Sequence, residues 1–121
     1  MAEHNETGKK GEQLAAEFLE QSGFQVLELN WAYQKYEIDI IAQKGDTLIV
    51  AEVKTRSGNY YGEPEAWVTK VKQKNLIKGA EAYIITNNLD LDVRFDILSI
   101  ILPDKGEPKI HHTEDAFYPL L

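Results

Sequence analysis

The chain has 121 residues, 43% of them hydrophobic, no cysteine and a formal net charge of −7. That length suits one domain over residues 1–121 with a real core and little room for a second module, while the absence of Cys excludes a disulfide framework and a thiolate metal site. No stretch is apolar for long enough to span a bilayer, the polar start MAEHNETGKKGE has no signal-peptide core, so a cytoplasmic address is expected, and the acidic balance argues against strong non-specific nucleic-acid binding.

Residues 1–7 have the composition of a loose, acidic terminus. Over residues 8–22 the side chains Leu14, Ala15, Ala16, Phe18 and Leu19 recur at helical spacing, and Gly23 is placed to stop the helix. Glu12 lies one turn before Ala15 and Ala16 on the stripe that leads to Leu19, whereas Glu17 and Glu20 fall towards the polar side. A first-turn glutamate can also do no more than complement the helix dipole. Residues 24–31 alternate as a strand, with Phe24, Val26 and Glu28 on one face and Leu27 and Leu29 on the other.

Residues 36–56 read YEIDIIAQKGDTLIVAEVKTR, two β-branched runs around a Lys44-Gly45-Asp46 turn, which predicts a β-hairpin. With Gly45-Asp46 as a two-residue turn, Lys44 pairs with Thr47, Asp39 falls opposite Glu52 and Glu37 opposite Lys54. The reverse face then pairs Ile38 with Val53, Ile40 with Ala51 and Ala42 with Ile49, a surface suited to burial under a helix. A three-residue turn would set Asp39 against Ala51 and scramble both faces. Two carboxylates at cross-strand distance repel unless a proton or a cation lies between them. Hard oxygen ligands suit Mg²⁺, which shares its remaining positions with water and phosphate oxygens. Lys54 falls beside such an ion, where an ammonium could orient or help deprotonate a water and stabilise charge building on a phosphate. The competing reading is a solvated cross-strand charge network of Glu37, Asp39, Glu52 and Lys54.

Beyond Lys54 the stretch TRSGNYYGEPEAW lacks periodicity and is rich in Gly and aromatics, as a loop near the site would be. Tyr60, Tyr61 and Trp67 could stack on unpaired bases and Arg56 could contact phosphate; for Trp67, capping the core is the equal alternative. Thr69 is a candidate N-cap for a helix to about Ile85 with Leu76, Ile77, Ala80, Tyr83 and Ile84 buried. Lys72 and Gln73, one turn earlier on that stripe, could hold a phosphate or a water, or could simply be solvated. Asn87 and Asn88 end the helix, residues 93–102 form a strand, and a short strand follows around Ile110. Arg94 and Asp96 share a face and either pair structurally or support the site carboxylates. His111 and His112 point to opposite faces and cannot chelate one metal together. The terminal AFYPLL could pack on the core or against a second subunit. The basic residues gather mid-chain, at Lys54, Arg56, Lys70, Lys72, Lys74 and Lys78. The elements together predict an α/β architecture.

Asp39, followed after twelve residues by Glu52-Val53-Lys54, resembles the D…ExK signature of the PD-(D/E)xK nuclease superfamily, to which restriction endonucleases and archaeal Holliday-junction resolvases belong. On GKKGEQLAAEFLEQSGF (8–24), EIDII (37–41), VAEVKTRS (50–57), TKVKQKNL (69–76) and RFDI (94–97) the chain is identified as a member of the YraN family of small bacterial proteins; Tyr36 stands where that family usually has Gly. The resemblance implies a restriction-endonuclease-like fold, a mixed central sheet with an antiparallel hairpin core flanked by helices. It implies a metal-dependent endonuclease hydrolysing DNA phosphodiester bonds, with branched or repair intermediates as the substrate class. Asp39, Glu52 and the Val53 carbonyl would then hold Mg²⁺ or Mn²⁺, with Glu12 as a third carboxylate and Lys54 as the catalytic ammonium. DNA binding would be weak and metal-dependent, and a homodimer or a partner protein is compatible with it. The alternative from another class is a non-catalytic DNA-processing adaptor that keeps the fold.

Overall fold

The structure is a computed structural model that describes residues 2–58 and 68–118, with residues 2–5 described by backbone alone. Along the chain lie α1 (Ala2–Gln21), β1 (Gln25–Tyr33), β2 (Tyr36–Lys44), β3 (Thr47–Ser57), α2 (Lys70–Asn87), β4 (Asp92–Leu102) and β5 (Lys109–Phe117). The strands form one sheet in sequence order. Every neighbouring pair is antiparallel except β3 and β4, which run parallel because α2 carries the chain back across the sheet. This is the predicted α/β arrangement, with a mixed sheet, an antiparallel hairpin core and flanking helices.

Each helix covers one face. Ala15, Ala16 and Leu19 of α1 pack on Ile40, Ala42, Ile49, Ala51, Leu98 and Ile100, and Leu76, Ala80 and Tyr83 of α2 pack on Ile38, Ile41, Leu48, Val50, Phe95 and Ile97. Leu48 to Glu52 are consecutively buried, as a central strand covered on both faces requires. Thr69 caps α2, its side chain accepting from the Lys72 amide, and Asn88 closes the helix in the left-handed region with φ 52°. Helix α1 begins at Ala2 rather than near Gly8, since no proline or strong breaker precedes Gly8, and β5 is longer than the predicted short strand.

The hairpin has the predicted register from Lys44–Thr47 to Ile40–Ala51. There the ladder ends. Strand β2 stays paired with β1 as far as Tyr36, while β3 stays paired with β4 to Ser57, so the two inner strands part after Ile40 and Ala51. The expected ladder pairs Asp39–Glu52, Ile38–Val53 and Glu37–Lys54 therefore do not form, although Asp39 and Glu52 still meet through their side chains. Glu37 lies opposite Ala32 of β1, exposed to solvent. Ile38 turns to the α2 side while Val53 packs on the α1 side, because a fully buried isoleucine gains roughly 1.5–3 kcal/mol wherever it finds cover and α2 offers it. Strand β1 also departs from simple alternation. A bulge lies between Val26 and Glu28, Asn30 adopts φ 51°, and Leu29 is left exposed.

Two glycines let the helices approach the sheet beside this parting. An added Cβ on Gly79 of α2 would lie 3.3 Å from the Ile38 side chain and 3.4 Å from Tyr36. On Gly11 of α1 it would run into the Thr55 hydroxyl and Cβ of β3. Gly11→Ala should therefore lower stability by about 1–3 kcal/mol through overpacking, although alanine is the better helix former. Gly8→Ala, with nothing within 4 Å of an added Cβ, should be neutral or slightly stabilising. Urea denaturation of the two variants measures the contrast, and Thr55→Ala should restore part of the loss in Gly11→Ala.

Candidate active site

The parting of β2 and β3 leaves backbone groups that a continuous ladder would have satisfied. Asp39 takes over one of them. Its Oδ2 accepts from the Val53 amide at 2.9 Å, which draws the Asp39 carboxylate into the gap between the strands. Glu52, the next residue back along β3, is 2% exposed. Its Oε2 lies 3.4 Å from Nζ of Lys72 on α2 and 3.7 Å from Nζ of Lys54 on β3. Burial, then the hydrogen bond and the negative charge of Asp39, push the Glu52 pKa up to about 8, against the opposing pull of Lys72 and Lys54. Desolvation and a second carboxylate thus outweigh two ammonium groups, and at neutral pH the pair holds a proton where a cation could sit.

Glu12 reaches the same place from the other layer. It follows Gly11, where α1 comes closest to β3, and its carboxyl pKa is raised by partial burial and by the charge of Asp39, while the Asn30 side chain pulls it down. The gap is therefore approached by α1 through Glu12, by β1 through Asn30 and by α2 through Lys72. Among the described residues, no three carboxylate or imidazole side chains converge to close on one metal ion. What the structure assembles is a carboxylate pair, Asp39 and Glu52, flanked by two lysines, with Glu12 coupled to Asp39 electrostatically.

The other predicted site residues separate. Gln73 donates to the Val68 carbonyl at 3.2 Å and fastens the start of α2. Arg56 is half-buried and donates to the Thr55 carbonyl at 3.3 Å. Tyr60, Tyr61 and Trp67 lie outside the described residues. Arg94 and Asp96 form a two-pronged pair, Nε to Oδ1 and Nη2 to Oδ2, both 2.9 Å. His112 Nε2 lies 2.7 Å from Oδ2 and the Asp115 amide donates to Oδ1 at 3.0 Å, so Asp96 is a fully engaged buried anion that fastens β5 to β4. Burial raises its pKa, but His112, Arg94 and the Asp115 amide together hold it below the ordinary range. Asp96 is in register with Ala51 and so faces α1, away from Glu52. The structural reading of this pair is the one the fold supports. Sequence reasoning missed Asn30 and the pairing of His112 with Asp96. An asparagine inside a strand run is a signal for the left-handed region, whereas a histidine sixteen residues from its partner leaves no local pattern.

The family model described as Uncharacterised protein family UPF0102 matches residues 11–100, the span that holds Glu12, Asp39, Glu52, Lys54 and Lys72. The chain belongs to this family. A UPF0102 protein of Flavobacterium psychrophilum is 51% identical over 118 residues, which is 98% of either chain. One of Bacteroides thetaiotaomicron is 42% identical over 121 residues, covering 100% of this chain and 99% of its own. Among solved structures, the chain is similar to Hjc of Archaeoglobus fulgidus, a Holliday junction resolvase, with a TM-score of 0.49 and 16% identity over 85% of this chain and 74% of that one. Among the described residues no helix is long and apolar enough to cross a membrane.

Two predictions follow from the electrostatics. Because the folded chain keeps the Glu52 proton up to a pH of about 8 and the unfolded chain releases it near an ordinary carboxyl value, the associated stability is complete below that ordinary value and is lost as pH rises through about 8. The loss should amount to roughly 2–4 kcal/mol. Glu52→Gln cannot ionise, so its urea midpoint should gain on that of the wild type steadily between mildly acidic and mildly alkaline pH. A wild-type midpoint flat across that window would contradict the buried acid pair. At the other end of the sheet, Asp96→Asn strips a buried anion from Arg94 and His112 and should cost about 3–5 kcal/mol without changing the pH dependence contributed by Glu52.

Proposed function

We propose that this protein is a divalent-cation-dependent phosphodiesterase acting on DNA. The observation that carries the reading is the Asp39–Glu52 pair at the strand fork, in which Glu52 is buried and its pKa is pushed up to about 8 by that burial and by Asp39, with Lys54 and Lys72 flanking it. Paired carboxylates of this kind are a destabilising arrangement unless something positive sits between them, and their hard oxygen donors suit Mg²⁺ or Mn²⁺. Asp39 and Glu52 would hold the ion. The Val53 carbonyl fits as a further ligand, because the Val53 amide points across the fork to Asp39 and the carbonyl of a strand residue lies on the same side as its amide. Glu12 would assist directly or through water.

When bound, the ion would polarise the phosphodiester and lower the pKa of an attacking water. The chain's own groups do the rest. Lys54, two residues beyond Glu52 on β3 with its Nζ 3.7 Å from the Glu52 Oε2, can stabilise the charge that builds on the phosphate during in-line attack, or orient the attacking water. Asp39 keeps the fork open by holding the Val53 amide. Lys72, with a 39% exposed side chain, stands where it can meet a substrate phosphate. The D…ExK pattern shared with resolvases makes branched DNA the first substrate class to try, and the acidic balance of the chain points to binding that is weak and metal-assisted. A cytoplasmic protein working alone, as a homodimer or with a partner suits this role.

The second reading is a non-catalytic DNA-processing adaptor, and one observation favours it: Glu52 already has two ammonium partners. Titrating Mg²⁺ or Mn²⁺ against linear, flapped and four-way DNA separates the two. A nuclease cuts at least one substrate, and Lys54→Met, which keeps the stem but removes the charge, should reduce cleavage by orders of magnitude while metal binding persists and DNA affinity falls only slightly. An adaptor cuts nothing, and Lys54→Met matches it in partner binding. Wild-type cleavage that survives undiminished in Lys54→Met would rule out the role given to this lysine.

A further inference from the structure

Lys54 and Lys72 meet the same oxygen of Glu52, yet they are held differently. Lys54 is 29% exposed and sits on β3, two residues from the glutamate. Lys72 comes from the opposite layer, bridges the space between α2 and β3, and makes the shorter contact, 3.4 Å, with a side chain that is 39% exposed. Its backbone is fixed. The Lys72 amide donates to Oγ1 of Thr69 at 3.1 Å and the next residue, Gln73, is tied to the Val68 carbonyl. The ammonium at the end of its four-carbon stem is not fixed in that way, and no acidic residue in the first turn of α2 offers it another partner. A mobile cation on a rigid base therefore occupies a buried carboxylate at the point where a metal ion would bind.

We propose that, once the fork is ionised, Lys72 is its resident counter-ion, which a divalent cation must displace from Glu52 in order to bind. This rests on the reading of Asp39 and Glu52 as the ligands of that cation. The exchange sets the selectivity of the site. A monovalent ion that replaced the ammonium would bring no additional charge to compensate its own dehydration, whereas a dication brings one more positive charge against two carboxylates in a poorly solvated gap. The same exchange keeps divalent affinity low when ion is scarce and returns Lys72 to the rim of the site once the ion is in place.

Calorimetric titration of the full chain with MnCl₂ and MgCl₂ tests this on the wild type, Lys72→Met, Lys72→Arg and Glu52→Gln, at a pH above the Glu52 pKa of about 8 so that the ammonium and not a proton is the group displaced. Lys72→Met should bind Mn²⁺ about tenfold more tightly than the wild type, somewhat more than the roughly fivefold at most of a fully exposed ion pair because the Glu52 end of this one is buried, and Mn²⁺ should raise its melting temperature further. Lys72→Arg retains the charge and should stay within a few-fold of the wild type, and Glu52→Gln should bind weakly. Because the side chain is partly exposed the variants should fold, and Lys72→Gln serves if the methionine variant does not. Equal affinity in the wild type and Lys72→Met, with Glu52→Gln weakened, would overturn the exchange and leave the metal site standing. Tightening in Lys72→Arg as large as in Lys72→Met would overturn it as well, since charge would not be the cause. Absence of binding in every protein, Lys72→Met included, would overturn the metal site and the exchange together.

Discussion

The hydrogen bond from the Val53 amide to the Asp39 carboxylate marks the feature on which the site depends, namely that β2 and β3 part from each other beyond Ile40 and Ala51 while each keeps its outer partner. Strand β3 is committed to a parallel ladder with β4 along its whole length, and β2 to an antiparallel one with β1 down to the turn at Tyr36. Each outer pairing runs on past the point where the inner one ends, and the right-handed twist of the sheet accumulates between them. The inner ladder yields after Ile40 and Ala51. A strand edge opened in the middle of a sheet would normally be costly, because its amides and carbonyls lose their partners. Asp39 makes it tolerable by supplying an acceptor from its side chain, so the residue that positions the site is also the one that closes the gap in the ladder.

Once the strands part, side chains from both layers can reach one point, which a continuous sheet would forbid. Glu12 arrives on α1 because Gly11 allows that helix to lie against Thr55, and Lys72 arrives on α2 because Gly79 allows that helix to lie against Ile38 and Tyr36. Thr69 then fixes where α2 begins. Neither helix needs to contribute much apolar surface at its near end. Their cores lie further along, at Ala15 and Leu19 in one and at Leu76, Ala80 and Tyr83 in the other, so anchoring and presentation are divided along each helix.

The hairpin register was legible because Gly45-Asp46 sets the turn and only one alignment gives two chemically coherent faces as far as Ile40 and Ala51. The Thr69 cap and the Arg94–Asp96 pair were legible for the same reason, since both are contacts between residues two or three apart. The placement of Ile38 and Glu37 was not. Alternation assumes an unbroken ladder, and the break depends on pairings with β1 and β4 that the hairpin sequence does not contain. Asn30 and His112 were hidden likewise: a left-handed residue in a strand shifts the faces around it, and His112 acquires its carboxylate only when β5 lies down beside β4. The grouping of Asp39, Glu52 and Lys54 was legible from local chemistry, but the burial of Glu52 was not, because a glutamate in an apolar row looks from the sequence like the exposed end of that row.

That burial bears on the two meanings of the charged cluster. A solvated cross-strand network would leave its carboxylates in water, as Glu37 is left, and would contribute little in either direction. Glu52 is instead enclosed, beside a second carboxylate, at a position in register with Ile97 of the central parallel pair, where an apolar side chain would pack without penalty. Replacing a buried charged cluster by apolar residues is often stabilising, so stability alone gives no reason to place a glutamate there. Two lysines from different elements then converge on its one oxygen without bringing its pKa back to the ordinary carboxyl range. An arrangement that costs stability, sits where the sheet is opened, and keeps a carboxyl far from its ordinary pKa has the marks of a functional site more than of a device that holds the fold together.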